Sequence, residues 1–132
     1  MIWFSAFRTQ MLPQYLTMLS QMGGASLALD GEWDSFGGPL SSPKASDART
    51  CLEAGMPLFL TALVQLQMMN PAFGKNLKDK IKSVYFENAG PGVSKELRRD
   101  GERLICRLQP TQGFEGAFDM NELTARLPDV LA

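Results

Sequence analysis

The sequence predicts an α+β fold: N-terminal helices, with an apolar central helix packed on a small three-stranded antiparallel sheet (a β-meander), followed by a short C-terminal helix. Three observations lead there. Apolar residues recur at helical spacing through most of the first 70 residues. The rhythm changes to period two across 81–108. A capped helical pattern returns after Phe118. Helices, then strands, then a helix is the segregated order of α+β domains. The 132 residues suit one domain, 1–132, and 45% apolar with 20% charged residues is ordinary for a globular chain.

The first segment, Ile2, Trp3, Phe4 and Phe7, is too apolar to stand in water and is expected to dock on the core or on a partner. "LPQYLTMLSQMGG" reads as a helix, with Pro13 in its first turn and Gly24 among its stop residues. "SLALDGEW" allows a brief strand. Glycine, proline and serine crowd residues 34–46, which predicts a flexible loop pinned by Phe36 and Leu40.

Ser46 is the expected cap of the next helix, with Asp47 in its first turn. Pro57 should kink or restart it, because proline cannot donate to the carbonyl of Glu53. Leu58–Met69 is apolar on almost every side, the pattern of a helix surrounded by protein. A bilayer span needs about 20 apolar residues. Thr61, Gln65 and Gln67 interrupt this run, so no membrane span is expected.

"IKSVYFEN" is strand-like, "AGPG" breaks it, and Asp100-Gly101 between alternating runs predicts a hairpin with a two-residue type I′ turn. That turn sets Arg99 opposite Glu102, Arg98 opposite Arg103, Leu97 opposite Leu104, Lys95 opposite Cys106 and Val93 opposite Leu108. Val93, Leu97, Leu104, Cys106 and Leu108 then face the core. Ser94, Glu96, Arg98, Arg103, Ile105 and Arg107 face outward. Residues 81–108 form the antiparallel sheet in this reading. In the tail, Asp119 and Glu122 have capping-box spacing, and Pro128 should end or interrupt the helix.

Composition narrows the chemistry. The chain has no histidine, which removes Ser–His and Cys–His arrangements within one chain. Cys51 and Cys106 form no CxxC pair and are read as two buried, unbridged thiols; a bridge would instead imply an oxidising compartment. "SSPK" at Ser41–Lys44 has the S-x-x-K spacing, but a Pro/Gly loop does not hold Ser and Lys one helical turn apart. "GPGVSK" at Gly90–Lys95 lacks phosphate-loop spacing. Asp30, Glu32 and Asp34 alternate without continuing into a calcium loop. No cofactor, no metal and no catalytic set is therefore expected.

Charge gives the remaining hint. The net charge is -1, yet nine Lys or Arg stand against five acids between residues 71 and 110. Opposed arginines repel unless an anion intervenes. Arg98, Arg103 and Arg107 around Ile105, with Trp3 as a second apolar element, are the candidate partner-binding residues. The expected function is a small non-enzymatic protein-interaction module (inhibitor, immunity, adaptor or chaperone-like) that binds an acidic partner surface. The alternative is a small-ligand binder or small enzyme using an apolar pocket beside helix 58–69. A protein partner is expected and a homodimer is allowed. Nucleic acid is disfavoured because exposed aromatics are few. Without a signal-peptide pattern the expected compartment is cytoplasmic, though a mature exported chain would look alike.

Overall fold

The computed structural model describes residues 2–132, without the side chain of Ile2. The chain enters as one helical run: α1 (Ile2–Ala6), a π-helical turn (Phe7–Met11) and α2 (Leu12–Gly23). Gly24 ends it with φ 77°, a left-handed conformation suited to glycine, and its N–H donates to Ser20 O at 2.9 Å. Strand β1 (Ala28–Gly31) follows, then a 3-10 turn (Trp33–Phe36) and α3 (Gly37–Ser41). The segment expected as a loop thus holds short helices, and fully buried Phe36 anchors it.

Helix α4 (Ala45–Met69) is the axis of the core. It begins one residue before the expected cap: Lys44 takes the N-cap position with no side-chain cap, and Asp47 lies in the first turn. It also runs through Pro57 as one helix. Buried Met56, Phe59 and Leu60 hold both sides of the proline in place. Burying such side chains is worth about 1.5–3 kcal/mol each, which outweighs the lost hydrogen bond. By length and composition α4 could also cross a membrane, with mean hydropathy 1.3; 61% of that window is buried within the fold. Gln67 Nε2 donates to Leu19 O at 2.9 Å, joining the last turn of α4 to α2. After Asn70, whose side chain accepts from Phe73 N–H, α5 (Pro71–Lys80) leads to the sheet.

The sheet is mixed and four-stranded, in the order β1-β2-β4-β3, not an antiparallel meander. Its later strands are β2 (Ser83–Asn88), β3 (Glu96–Asp100) and β4 (Arg103–Leu108). β1 and β4 both run parallel to β2, and only β3–β4 is antiparallel. The β1–β2 connection contains α4 and α5, the helical crossover that parallel strands require. The "AGPG" break is not a hairpin either. It carries the chain past the position of β4 to the outer edge, from which β4 folds back into the middle.

The hairpin is shifted from the expected register. Asp100 pairs with Arg103, so the two-residue turn is Gly101-Glu102, with φ 61° at Gly101. One positive φ, at the first turn position, is the type II′ requirement. Arg98 therefore faces Ile105, Leu97 faces Cys106 and Arg99 faces Leu104. Because the partner moves by two residues, each side chain keeps its predicted face. Val93 falls outside β3 and is 40% exposed, so it does not join the packed face.

Val84, Phe86, Leu104 and Cys106 point at α4, where Phe59 meets Phe86 edge-on at 5.6 Å between centroids. A 3-10 segment (Pro110–Gly116) then lies along α4. Gly55 permits that approach: a Cβ there would stand 2.6 Å from the Cβ of Ala117. Helix α6 (Met120–Leu131) has the predicted capping box at Asp119 and Glu122, and it continues through Pro128.

Candidate functional site

Two regions gather the candidate side chains. The first is the outer sheet face. Tyr85 and Glu87 of β2, Arg103, Ile105 and Arg107 of β4, and Glu96, Arg98 and Asp100 of β3 share it by register. The arginines there do not oppose one another. Arg98 reaches across β4 and donates to both oxygens of Glu87, at 2.7 and 2.9 Å, and to Glu96 at 3.1 Å. Arg107 lies 3.6 Å from Glu87 and from Glu96, and its Nε donates to Ser94 O at 3.0 Å. The hydrogen bonds from Arg98 hold the Glu87 carboxyl below its ordinary range, against the opposing effect of burial. The same bonds push the Arg98 guanidinium further up.

Arg103 differs from its neighbours. Its only ion-pair partner among the described residues is Asp100 at 3.5 Å, and its guanidinium carbon sits 4.4 Å from the centroid of the Tyr85 ring. Ile105 was expected as an exposed apolar centre, but it is fully buried. Its cross-strand neighbours are Tyr85 and Arg98, and the Arg98 side chain crosses β4 beside it. Long arginine stems cover apolar surface in this way while the charged head stays wet. Trp3 lies far off in sequence on α1, half-buried, stacked on Phe7 at 5.3 Å and capped by Arg49 at 4.6 Å.

The second region is a pocket of about 360 Å³ beyond the C-terminal end of β4, where Gly55 and Leu58 of α4 meet Lys95, Phe114, Ala117 and Phe118. Lys95 Nζ donates to Ala117 O at 2.8 Å and to Glu122 at 3.1 Å, and lies 4.9 Å from the centre of the Phe118 ring. Behind it, Gln109 is 1% exposed and ties two loops together. Its Nε2 donates to Gly90 O and Val93 O at 2.9 and 2.7 Å, and its Oε1 accepts from the Thr111 hydroxyl at 2.8 Å. Phe114 projects from this fixed loop, 73% exposed. Loops beyond the carboxyl ends of parallel strands are where open α/β sheets bind ligands.

Other chemical candidates fall away individually. Ser41 ends α3 and Lys44 precedes α4, so no single helical turn joins them. Glu32 accepts from Asn88 N–H at 2.8 Å and Asp30 from Gly31 N–H at 2.8 Å. Among the described residues no group of three His, Cys, Asp or Glu is placed to hold a metal ion. Cys51 and Cys106 are free and buried. Burial pushes the Cys51 thiol up to about 12 and raises that of Cys106 well above its ordinary value, so neither is a ready nucleophile. Comparison with protein-family models, curated proteins and solved structures found no match.

Proposed function

We propose that the chain is a small non-enzymatic protein-interaction module that takes an acidic partner segment on the outer face of its sheet, at Arg103. The supporting observation is the Arg103–Tyr85 stack. Arg98 and Arg107 are committed to Glu87 and Glu96, so they act as scaffold. Arg103 is held only by Asp100, with the two side chains 43% and 66% exposed. Such a surface pair contributes about 0–1 kcal/mol, so a partner carboxylate displaces Asp100 at small cost. The ring beneath keeps the guanidinium flat and oriented, and arginine and tyrosine are enriched where binding energy concentrates. Three carboxylates balance the three arginines on this face, which leaves no field for a nucleic-acid backbone.

A photo-crosslinking residue at Ser83, beside Tyr85, tests this. The captured protein is identified, prepared pure and titrated calorimetrically against wild type and Arg103→Gln. A loss of at least about tenfold in affinity, with an unchanged melting curve, supports the reading. Equal affinity of the two proteins overturns it.

The pocket favours a second reading, a small-ligand binder or small enzyme beside α4. Leu58 and the exposed Phe114, both in its lining, support it. A molecule released on denaturing wild type and missing from Ala54→Trp, which fills the pocket mouth, would establish it.

A further inference from the structure

We propose that the pocket between α4 and the start of α6 takes an organic ammonium ion, a cationic head on a short apolar stem. The inference rests on the second reading above, that this pocket holds a ligand, and it names the ligand's chemistry.

The positive groups around the pocket are already paired. Lys95 Nζ donates to Ala117 O at 2.8 Å and to Glu122 Oε1 at 3.1 Å. Arg126 lies 3.7 Å from Glu122 Oε2 and 5.6 Å from the centre of the Phe118 ring. A helix start also favours an anion, but the first turn of α6 is closed by its own carboxylates. Asp119 Oδ1 accepts from Glu122 N–H at 2.8 Å, and Glu122 Oε1 accepts from Asp119 N–H at 3.2 Å. An incoming anion would meet cations that already have a carboxylate.

Two of the negative groups have no such partner. Glu115 and Asp119 line the pocket and are exposed. Neither enters an ion pair among the described residues. Two cations, Lys95 and Arg126, thus stand against three carboxylates, Glu115, Asp119 and Glu122, and one positive charge is lacking.

The chain itself shows how an ammonium is held here. The Lys95 head meets a backbone carbonyl, a carboxylate and the Phe118 ring, 4.9 Å from its centroid. Aromatic faces attract ammonium ions. Phe118 is shared by Lys95 and Arg126, whereas Phe114 enters none of the five cation–ring contacts among the described residues. Phe114 is 73% exposed and lines the same pocket. A second ammonium has that ring and the carboxylates of Glu115 and Asp119 to bind, while its stem packs on Ala54 and Leu58 of α4. The volume of about 360 Å³ is near the lower end for ligand pockets, which suits a head and a short stem.

Hexylammonium is the probe, with hexanol and hexanoate as its neutral and anionic counterparts. Each is titrated into the wild-type chain at pH 7, where an alkylamine is protonated. The NMR resonances of Leu58, Phe114 and Phe118 report binding. Hexylammonium should saturate at these residues about tenfold more tightly than either counterpart, and less tightly in high sodium chloride. Glu115→Gln with Asp119→Asn should lower its affinity to that of hexanol with an unchanged melting curve, because asparagine caps a helix about as well as aspartate. Glu115→Gln alone serves if the pair fails to fold. Hexanol or hexanoate binding as tightly as hexylammonium would overturn the charge preference and leave the pocket a ligand site. No response to any of the three would overturn the pocket reading as well. Unchanged affinity in the folded variant would overturn the assignment to these carboxylates. A lysine blocked at its α-amino and α-carboxyl groups separates the two sources of this chemistry. Tighter binding than hexylammonium supports the site and assigns it to a protein lysine; weaker binding supports it for a free amine.

Discussion

Replacing Glu87 with glutamine should expose how far the outer sheet face depends on its own ion pairs. Glu87 receives two bonds from Arg98, at 2.7 and 2.9 Å, with Arg107 at 3.6 Å behind them. Hydrogen bonds to charged groups contribute about 1.5–3 kcal/mol in favourable settings. The Glu87 side chain is 20% exposed and that of Arg98 36%, so solvent screens part of this. Glutamine also turns an amide N–H₂ towards a guanidinium. The expected loss at pH 7 is about 1–2 kcal/mol, or a fall in Tm of about 3–6 °C. The pH dependence has a definite sign. Arg98 holds the Glu87 carboxyl below its ordinary value of about 4.3, so folding favours the ionised form. The contribution is complete above about pH 4.3 and disappears as the pH falls through the lower folded-state value. Urea unfolding of wild type and variant at pH 7, and again near pH 3, should therefore show a gap that closes on acidification. Arg98→Gln added to Glu87→Gln should cost little more. A variant as stable as wild type at pH 7, or a deficit undiminished in acid, would refute the lattice and free its arginines for a partner.

Leu63 is fully buried on α4. Leu63→Ala should cost about 2–5 kcal/mol and Leu63→Asp should unfold the chain, as circular dichroism would record. Both thiols should resist a disulfide reagent in native buffer and react in denaturant, in keeping with their burial and raised values. Gly116→Ala should lose much of the folded population, because its Cβ would overlap the Gln109 carbonyl, whereas Gly90→Ala, with open space around it, should melt like wild type. Phe114→Ser should leave stability within about 0.5 kcal/mol of wild type, since an exposed ring contributes little to the core.

Local chemistry was legible from sequence and long-range pairing was not. The Asp119–Glu122 capping box and the apolar run of α4 are short-range signals, and both appear in the fold. Alternation in 81–108 also sorted Arg98, Arg103 and Arg107 onto one face, because parity survives a two-residue register shift. Strand direction leaves no mark in alternation, so the parallel pairing of β2 with β4 could not be read there. The turn was misplaced for a specific reason. Asp100-Gly101 satisfies a type I′ turn, but Glu102 keeps an ordinary φ and only Gly101 turns over. Ile105 is buried because arginine stems and a tyrosine ring surround it, which a binary pattern scores as polar. One wall of the pocket, Phe114, Glu115, Ala117 and Phe118, belongs to a stretch with no periodicity, and its other walls come from α4 and Lys95; Gln109 reads as a surface residue although it is the buried tie between two loops.

The strand order has a consequence for the newly made chain. β4 is the last strand to be synthesised, yet it occupies an interior position between β2 and β3. Until residue 108 has left the ribosome, β3 has no neighbour, and β2 can pair only with β1, a strand of four residues. No contiguous three-stranded intermediate can be assembled without it. A nascent chain stopped at Gly101 should therefore display the inner edge of β2, with Val84 and Phe86 lacking their partners Leu104 and Cys106. Such an open strand edge recruits other chains. Completion of β4 closes that edge in one cooperative step, so the interval between synthesis of residues 88 and 108 is when a chaperone would be most useful to this protein.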